Sequence, residues 1–403
     1  MLSVDEALER ITAPFSPLPT EWVHLGGAHE RVLAADLVAE RDQPPRALSA
    51  MDGYAVRAAD LASGEARLEV IGKVPAGGSF EAEVGPGQAV RIFTGGPLPP
   101  GTDAVAIQEN ATVEGDLVRI EGAVQPGEYV RPAGLDFRAG EVGLPANRRL
   151  TARDVGFAAA LNHAWLPVRR RPRVALLATG DELALPGRSL GPNRIVSSNT
   201  PALAAMVEAW GAQAVDLGIV PDEPEALARV AGELRGVDLV VTTGGASVGE
   251  HDLVRGVLGE AGLELDFWRI AMRPGKPLLF GHIKGVPLLG LPGNPVSAGV
   301  CGVLFVRAII QRLLGLDPTP PWMPAVLGRA LAANDRREAY LRASARWRDD
   351  GRLEVEPAAQ QDSSMFAVFA RADCLVRHPA FAPAMPAGAQ VSVLPLGSGP
   401  IGV

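Results

Sequence analysis

The sequence predicts a multidomain α/β plus β protein, in which a central doubly wound, mostly parallel sheet domain accompanies a β-rich insertion module and a C-terminal β module. Two observations carry this prediction. From residue 173 to about 315, apolar strand-like runs alternate with helical segments, which is typical of a parallel sheet. On either side of that region, short β-like runs are separated by turns rich in Gly and Pro.

These changes of pattern divide the chain into four parts. The 403 residues are enough for two to four domains at the usual size of about 100 to 200 residues each. The predicted parts are a mixed helical and extended linker domain at 1–45 with 141–171, a small β module at 46–140, an α/β domain at 172–317, and a barrel-like C-terminal β domain at 318–403.

The elements outside the central domain have recognisable local patterns. Ser3 and Glu6 have the spacing of a capping box, so MLSVDEALERI predicts a short helix and not a signal peptide. The runs LEVIGKV, AVRIFTG, DAVAIQE and LVRIEG predict strands of the β module. The run RLTARDVGFAAALN predicts a helix after that module.

The central domain is predicted from six strand-like runs, VALLAT, AVDLGIV, VDLVVTT, LELDFWRIAM, PLLFGHI and VPLLGL. TPALAAMVEAWG predicts a helix with Pro201 in its first turn and Gly211 past its end. DEPEALARVAGELRG predicts a second helix, opened by Asp222. NPVSAGVCGVLFVRAIIQRLLG (294–315) predicts a further helix. Its most apolar run, VSAGVCGVLFVRAII, is interrupted at Arg307 and falls short of the roughly 20 residues that cross a bilayer, so the helix is predicted to be buried.

Composition narrows the class of function. A net charge of −8 argues against general binding of nucleic acids or anionic membranes. The two cysteines, Cys301 and Cys374, lie far apart and form no CxxC pair. This argues against a disulfide scaffold or a zinc site and predicts a reducing, cytoplasmic location.

Acids, cations and glycines recur in the loops that follow the predicted parallel strands. In a parallel sheet these loops share one edge, which is where ligands bind. The loops are TGDEL (179–183), VPDEP (220–224), TTGGASVGEHD (242–252), MRPGKP (272–277) and LPGNPVS (291–297).

Glycine lets the backbone approach an oxyanion, and Mg²⁺ takes carboxylate oxygens while keeping phosphate oxygens as further ligands. Arg269, Arg273 and Lys276 add positive charge. The loops together predict a site for a phosphorylated substrate with a divalent cation.

Each of these residues also has an ordinary explanation when taken alone. Asp222 suits a helix N-cap, Glu250 and Asp252 suit the positive end of a helix dipole, and Asp52 belongs to an Asp-Gly turn. The site prediction depends on five such loops meeting at one edge. The chain has no GxxxxGK[ST], GxGxxG or GxSxG motif, which argues against an ATPase, a nicotinamide dehydrogenase or an α/β-hydrolase.

Seven motifs follow one another along the chain. They are SAMDGYAV (49–56), IFTGGPLPPGTDAVAIQEN (92–110), PAGLDFRAGE (132–141), LLATGDEL (176–183), TTGGASVGEHDL (242–253), MRPGKP (272–277) and GLPGNPVSA (290–298). With these motifs the chain resembles the molybdopterin molybdenumtransferase family. TTGGASVGEHDL taken alone also fits the related pterin adenylyltransferases, whereas the whole set of motifs in this order is specific.

The resemblance implies that molybdenum from molybdate is inserted into adenylylated molybdopterin, with Mg²⁺-dependent cleavage that releases AMP. It also implies a cytoplasmic homodimer whose linker domain serves dimerisation and whose β module reaches the α/β site of the other subunit. The implied catalytic residues are Asp52, Thr94, Glu182, Asp222 and Asp252, of which Glu182, Asp222 and Asp252 hold the metal. The implied substrate-binding residues are Asp136, Gly244, Gly245, Ser247, Arg269, Arg273, Lys276, Ser297, Arg342 and Ser363.

The chain departs from the family pattern at Arg269 and Arg273, where family members often have Lys. A planar guanidinium binds oxyanions differently from a point charge. The short motif QDSSMF leaves Ser363 and Ser364 as alternatives. Two other functions also stay open, a molybdopterin adenylyltransferase and a non-catalytic scaffold with the same fold.

Overall fold

The computed structural model describes the chain from 1 to 403 except residues 76, 222–225, 227–228, 231, 233, 245–261 and 398–403. The described residues form two compact units. The first unit contains 1–21, 30–32 and 169–403, and the second contains 22–29 and 33–168. The bounds of the four predicted domains stay predictions.

The first helix, α1 (Val4–Thr12), begins as its capping pattern predicts. The Ser3 hydroxyl accepts a hydrogen bond from the Glu6 N–H at 3.2 Å, and the Glu6 carboxylate accepts one from the Ser3 N–H at 2.8 Å. The buried side chains of Val4, Ala7 and Ile11 join the large core of the first unit. The helix is therefore held by its cap at one end and by an apolar face along its length.

The second unit is built mainly of strands. Its largest sheet has six strands in the order β7-β4-β6-β5-β9-β8, and two small sheets pair β10 with β3 and β11 with β2. The predicted β module and the helix after it are confirmed. The elements that follow α1 in the chain are β1 (Thr20–His24), β2 (Leu37–Val38), β3 (Leu48–Ser49), β4 (Gly53–Val56), β5 (Glu65–Lys73), β6 (Gln88–Ile92), β7 (Ala104–Ile107), β8 (Ala111–Glu114), β9 (Leu117–Glu121), β10 (Val130–Arg131), β11 (Val142–Leu144), α2 (Ala152–Ala160) and β12 (Trp165–Arg169).

The first unit contains the predicted doubly wound sheet, with strand order β16-β13-β17-β21-β20-β18. The first four strands are mutually parallel. β20 pairs antiparallel with both β21 and β18, so β20 alone runs in the opposite direction. Its elements are β13 (Arg173–Thr179), β14 (Leu183–Ala184), β15 (Ile195–Val196), α3 (Asn199–Ala209), β16 (Gln213–Val220), β17 (Leu239–Thr243), β18 (Leu263–Trp268), β19 (Met272–Arg273), β20 (Leu279–Ile283), β21 (Val286–Leu291) and α4 (Pro295–Leu313).

Strand β13 shows why this sheet needs helices on both faces. Val174 and Leu176 pack into the core that includes α3 and α4, whereas Ala175 and Leu177 pack into a second core on the opposite face. That second core includes Val230, which is helical. A strand buried on both faces is a continuous apolar run, and VALLA has that pattern.

Helix α4 has the extent that the helical run 294–315 predicts, and it corrects only the argument that this segment is too short to cross a bilayer. It spans 19 residues through Arg307, with a π-helical segment at Gly302–Val306. By length and composition it passes the test for a membrane span, yet 89% of its apolar window is buried inside the fold. The prediction of a buried helix is therefore confirmed by burial and not by length.

The C-terminal part of the first unit is a closed five-stranded barrel. Strand pairing runs β23-β24-β22-β26-β25 and returns from β25 to β23, and β19 adds to β23 from outside. The barrel interior is the apolar core around Val355, Val376 and Val393. Its elements are β22 (Met323–Leu327), β23 (Glu338–Trp347), β24 (Leu353–Pro357), α5 (Phe366–Ala370), β25 (Cys374–His378) and β26 (Gln390–Pro395).

Candidate active site

The carboxyl ends of the parallel strands lie in register at one edge of the first unit's sheet. Thr179 pairs with Val220, and Thr243 pairs with both Ala178 and Leu291. The loops that follow β13, β16, β17 and β21 therefore begin side by side. Open α/β sheets bind their ligands at such an edge.

Two glycines let the backbone turn tightly at this edge. Gly244 has φ +95°, and a Cβ placed on it would lie 2.2 Å from the carbonyl oxygen of Thr179. Gly293 packs against this turn at ordinary van der Waals distance, since a Cβ on it would lie 3.6 Å from the Gly244 Cα. Only glycine fits at 244, so the first glycine of TTGG is required by the approach of two neighbouring loops.

Three buried hydroxyls at this edge lack a hydrogen-bond partner in the described part of the chain. They belong to Thr179 and Thr242 at the ends of β13 and β17, and to Thr200 in the first turn of α3. A buried polar group without a partner is costly, by about 1 to 3 kcal/mol. Such groups are typical of places where a ligand, water or ion completes the bonding.

Glu182 is the one predicted metal ligand that lies among the described residues. Its side chain is exposed and folds back over Gly180, where a Cβ would lie 2.7 Å from the carboxylate Oε2. The carboxylate has no hydrogen bond or ion pair to any residue that the structure describes. Carboxylate oxygen is the donor type that Mg²⁺ prefers, so Glu182 fits a magnesium site. The described residues alone contain no group of three His, Cys, Asp or Glu that could hold a metal.

A cavity of about 480 Å³ opens where three segments of the first unit meet. The segments are the loop 272–277, the start of α4, and 361–363 after β24. Among its lining residues cations outnumber acids by three to one. Its polar lining residues are Arg273, Lys276, Asn294, Ser297, Arg337, Gln361, Asp362 and Ser363.

The two cations of the loop 272–277 differ in their partners. The guanidinium of Arg273 donates a hydrogen bond to Asn334 at 3.2 Å and lies 3.5 Å from the Asp335 carboxylate. Lys276 is half-buried, and its ammonium has no hydrogen bond or ion pair within the described ranges. Arg273 is therefore already fixed in place, whereas Lys276 carries an uncompensated charge at the cavity wall.

The serines of the cavity are positioned by contacts between α4 and the segment 361–363. Asn294, at the N-cap of α4, donates a hydrogen bond to the Ser363 hydroxyl at 2.8 Å. The Ser363 carbonyl oxygen accepts a hydrogen bond from the Val296 N–H at 3.1 Å. Ser364 instead donates to the Asp362 carboxylate at 2.6 Å and does not line the cavity. Of the two alternatives, the structure places Ser363 at the cavity, together with Ser297.

The structure places Arg342 beneath the cavity and not on its wall. Its side chain is 1% exposed, and its guanidinium donates to the Asp362 carbonyl oxygen at 3.2 Å. Burial lowers the pKa of this guanidinium to about 10. The Nε atom of Arg342 is buried without a partner among the described residues. A direct contact between Arg342 and an oxyanion stays a prediction.

Arg269 lies at the base of the loop that carries Arg273 and Lys276. Its N–H donates to the Leu278 carbonyl oxygen, and its guanidinium lies 3.9 Å from the Trp268 ring centroid. Its φ is +108°, a conformation that non-glycine residues rarely adopt and that costs about 1 to 3 kcal/mol. Backbone strain of this kind is concentrated at functional sites. Arg269 does not line the cavity.

The second unit holds Asp52 and Thr94 together. The Asp52 carboxylate accepts hydrogen bonds from the Thr94 N–H at 2.8 Å and from the Thr94 hydroxyl at 2.9 Å. These two bonds hold the pKa of the Asp52 carboxyl below its ordinary value. The ionised group is a weak base, so it suits attraction of a cation or a hydrogen-bond donor better than removal of a proton.

The remaining predicted site residues are placed in part. Asp136 is exposed on the second unit, and its N–H donates to the Gln43 carbonyl oxygen at 2.9 Å. Four further predicted residues lie outside the described residues, so their roles stay predictions. They are Asp222, Gly245, Ser247 and Asp252.

Sequence reasoning missed two asparagines that shape the site. Asn294 holds Ser363, and Asn199 donates to the Gly293 carbonyl oxygen at 2.7 Å. Asn294 had a recognisable pattern, because Asn before Pro at the start of a helix is a common N-cap. Asn199 had none, since its partner is 94 residues away in the chain.

Comparison with known proteins identifies the family. A model described as the probable molybdopterin binding domain matches residues 175–312, and models of the MoeA N-terminal region (domain I and II) and C-terminal region (domain IV) match 2–162 and 324–396. A molybdopterin molybdenumtransferase from Nostoc sp. is 39% identical over 357 residues, which are 86% of this chain and 81% of that protein. One from Haemophilus influenzae is 35% identical over 93% of this chain and 94% of that protein. The chain belongs to the molybdopterin molybdenumtransferase family.

Membership of the molybdopterin molybdenumtransferase family confirms the resemblance found in the motifs and the prediction of a transferase. The fold agrees as well. The crystal structure of a molybdopterin biosynthesis MoeA protein from Pyrococcus horikosii matches with a TM-score of 0.87 at 30% identity. It covers 98% of this chain and 99% of that one, which confirms the predicted fold class.

Proposed function

We propose that this chain transfers molybdenum from molybdate to adenylylated molybdopterin in the cytoplasm, with Mg²⁺-dependent cleavage that releases AMP. The observation that carries the proposal is the cavity of about 480 Å³ in which Arg273, Lys276, Ser297 and Ser363 meet beside the loops of the sheet edge. Family membership supplies the reaction class, and the cavity supplies a place for its oxyanion.

The lining of the cavity suits a tetrahedral dianion. Three cationic side chains and two serine hydroxyls are among its lining residues, and charge-assisted hydrogen bonds to oxyanions are about twice as strong as neutral ones. Because Arg273 is already paired with Asp335, Lys276 supplies the main free charge. Its half-buried position strengthens the attraction relative to water.

The proposed reaction involves no oxidation or reduction. Hydrogen molybdate and the dithiol of molybdopterin form two molybdenum–sulfur bonds and release one water, and the metal stays at Mo(VI). One water then cleaves the phosphoanhydride, so that one phosphorus–oxygen bond breaks, another forms and AMP leaves. Holding the two substrates side by side lowers the entropic part of the barrier.

Magnesium would be held by Glu182 together with Asp222 and Asp252. Bound there, it supplies charge that polarises the phosphoryl oxygens of the adenylyl group. The exposed and unpaired Glu182 carboxylate supports this assignment. The Gly244 turn beside it allows backbone N–H groups to approach the same phosphates.

A homodimer is proposed for the assembly. Four large apolar side chains are exposed on strands of the second unit, which supports an interface there. Val38 and Val142 face each other on paired strands, at 40% and 53% exposure. Trp22 and Trp165 are 65% and 56% exposed. In the proposed dimer, Asp52 and Thr94 of one subunit complete the α/β site of the other.

The direct test is a purified assay with adenylylated molybdopterin, Mg²⁺ and molybdate. We expect AMP release and molybdenum incorporation in equal amounts, both abolished when molybdate is left out or Mg²⁺ is chelated. Transfer of AMP from ATP onto molybdopterin would instead indicate the adenylyltransferase, and no turnover at all would indicate the scaffold. Either result would overturn the proposal.

A further inference from the structure

We infer that Arg91 is a positioning residue for the proposed reaction, fixing the turn that presents Asp52 and Thr94. Arg91 lies on β6 of the second unit, and no predicted site residue contacts its side chain directly. The inference rests on the proposed function for its kinetic consequences. Its structural consequences are measurable without any substrate.

The guanidinium of Arg91 contacts the residue next to Asp52 and the residue next to Thr94. It donates to the carbonyl oxygen of Gly53, which follows Asp52, at 3.1 Å. It also lies 5.0 Å from the ring centroid of Phe93, which precedes Thr94. A single planar group therefore fixes the backbone on both sides of the Asp52–Thr94 hydrogen bonds.

A second pair of contacts fixes Arg91 itself. Its Nη2 donates to the Gln108 amide oxygen at 2.7 Å, and its Cζ lies 5.0 Å from the Tyr54 ring centroid. The Gln108 N–H in turn donates to the Asp52 carbonyl oxygen at 3.0 Å. The guanidinium thus contacts the Tyr54 ring on β4 and the Phe93 ring just after β6, and each of its two terminal nitrogens donates a hydrogen bond, which no lysine reproduces.

The backbone beside Asp52 is closely packed. Gly53, the first residue of β4, pairs with Ile92 on β6 and Ile107 on β7, and a Cβ placed on it would lie 2.0 Å from the Ala106 carbonyl oxygen. Asp52 directly precedes this strand. On the β6 side, Arg91 adds side-chain contacts to the backbone pairing.

Charge is the second effect of Arg91. It has no ion pair among the described residues, and its charge acts on the Asp52 carboxylate in the same direction as the Thr94 hydrogen bonds, which lower the pKa of Asp52. Its effect on the pKa is smaller than that of the two Thr94 hydrogen bonds, and no other charged group of the described residues contributes to the shift. Removing the charge and loosening the turn are both expected to raise the pKa.

The experiment compares Arg91→Gln, which removes both the charge and the planar guanidinium, with Arg91→Lys, which keeps the charge alone. The control is Arg67→Gln, an exposed arginine on β5 of the same sheet. The carboxyl carbon of Asp52 is titrated by ¹³C NMR in the full-length protein, with its signal assigned by Asp52→Asn. Molybdate-dependent AMP release is measured in parallel.

We expect the pKa of Asp52 to rise in Arg91→Gln and to rise less in Arg91→Lys. We expect kcat to fall about tenfold or more, the KM for molybdate to stay within about twofold, and Arg91→Gln to add nothing to Asp52→Ala because the two residues act as a unit. Arg67→Gln should match the wild type in both measurements.

Three results would overturn the inference. The first is an unchanged Asp52 titration in both Arg91 variants. The second is a loss of kcat that multiplies with that of Asp52→Ala, which is the behaviour of general damage to the fold. The third is an equal loss in Arg67→Gln. If the wild type releases no AMP, the proposed function fails, and the NMR titration still decides whether Arg91 positions Asp52.

Discussion

Lys276→Met should weaken molybdate binding about ten- to a hundredfold, because a hydrogen bond to a charged group contributes about 1.5 to 3 kcal/mol. Lys276 lines the cavity and carries a charge that no described residue compensates. Methionine keeps most of the volume of the side chain and removes only the ammonium. Calorimetric titration with molybdate measures the change directly.

The matched control is Lys284→Met, at the tight turn between β20 and β21, where the lysine does not line the cavity. Its molybdate affinity should equal that of the wild type. Adding salt should weaken binding less in Lys276→Met than in the wild type, because one screened charge is gone. A Lys276→Met variant that binds molybdate within twofold of the wild type would remove the cavity from the proposed mechanism.

Asp52→Ala should lower the rate of AMP release about 10²- to 10³-fold, the usual effect of deleting one electrostatic group from an active site. Asp52 is half-buried, and among the described residues its carboxylate is hydrogen-bonded to Thr94 alone, so its loss should leave the melting temperature nearly unchanged. Asp252→Ala should have the same effect. The control is Asp116→Ala, an exposed acid in the hairpin between β8 and β9.

Mixed dimers make the Asp52 experiment sharper, because Asp52 belongs to the second unit and Lys276 to the first. A purified heterodimer of Asp52→Ala with Lys276→Met has one intact site if Asp52 acts across the interface, and none if it acts within its own subunit. We expect about half of the wild-type turnover from this heterodimer. Wild-type turnover in homodimeric Asp52→Ala would contradict the role of Asp52 itself.

The fold was predictable where local chemistry and tertiary packing agree. The Ser3–Glu6 capping box begins α1, and the apolar run VALLA is buried on both faces of the sheet. The extent and the burial of α4 were predictable as well, because the run NPVSAGVCGVLFVRAIIQRLLG continues the helical pattern through Arg307. Its π-helical segment at Gly302–Val306 was not predictable, because no local pattern marks it.

The site was predictable to the level of its loops and less well at single side chains. Arg273 and Lys276 follow from a loop placed next to a parallel sheet, and both line the cavity. Arg342 does not, because β23 is buried on both faces: Ala343 packs inside the barrel, and Tyr340 packs against the core that contains α4. A strand pattern cannot show that the outer face of a barrel is covered. The choice of Ser363 over Ser364 likewise depended on Asn294, a contact 69 residues away.

The central claim is that cations and hydroxyls from separate segments form one oxyanion site. The most direct measurement is anomalous X-ray diffraction at the molybdenum absorption edge, from crystals soaked in molybdate with and without Lys276→Met. We predict one strong anomalous peak in the wild type, lying among Arg273, Lys276, Ser297 and Ser363, and a weaker peak at the same place in the variant. A peak confined to other surfaces, or an equally strong cavity peak in the variant, would contradict it.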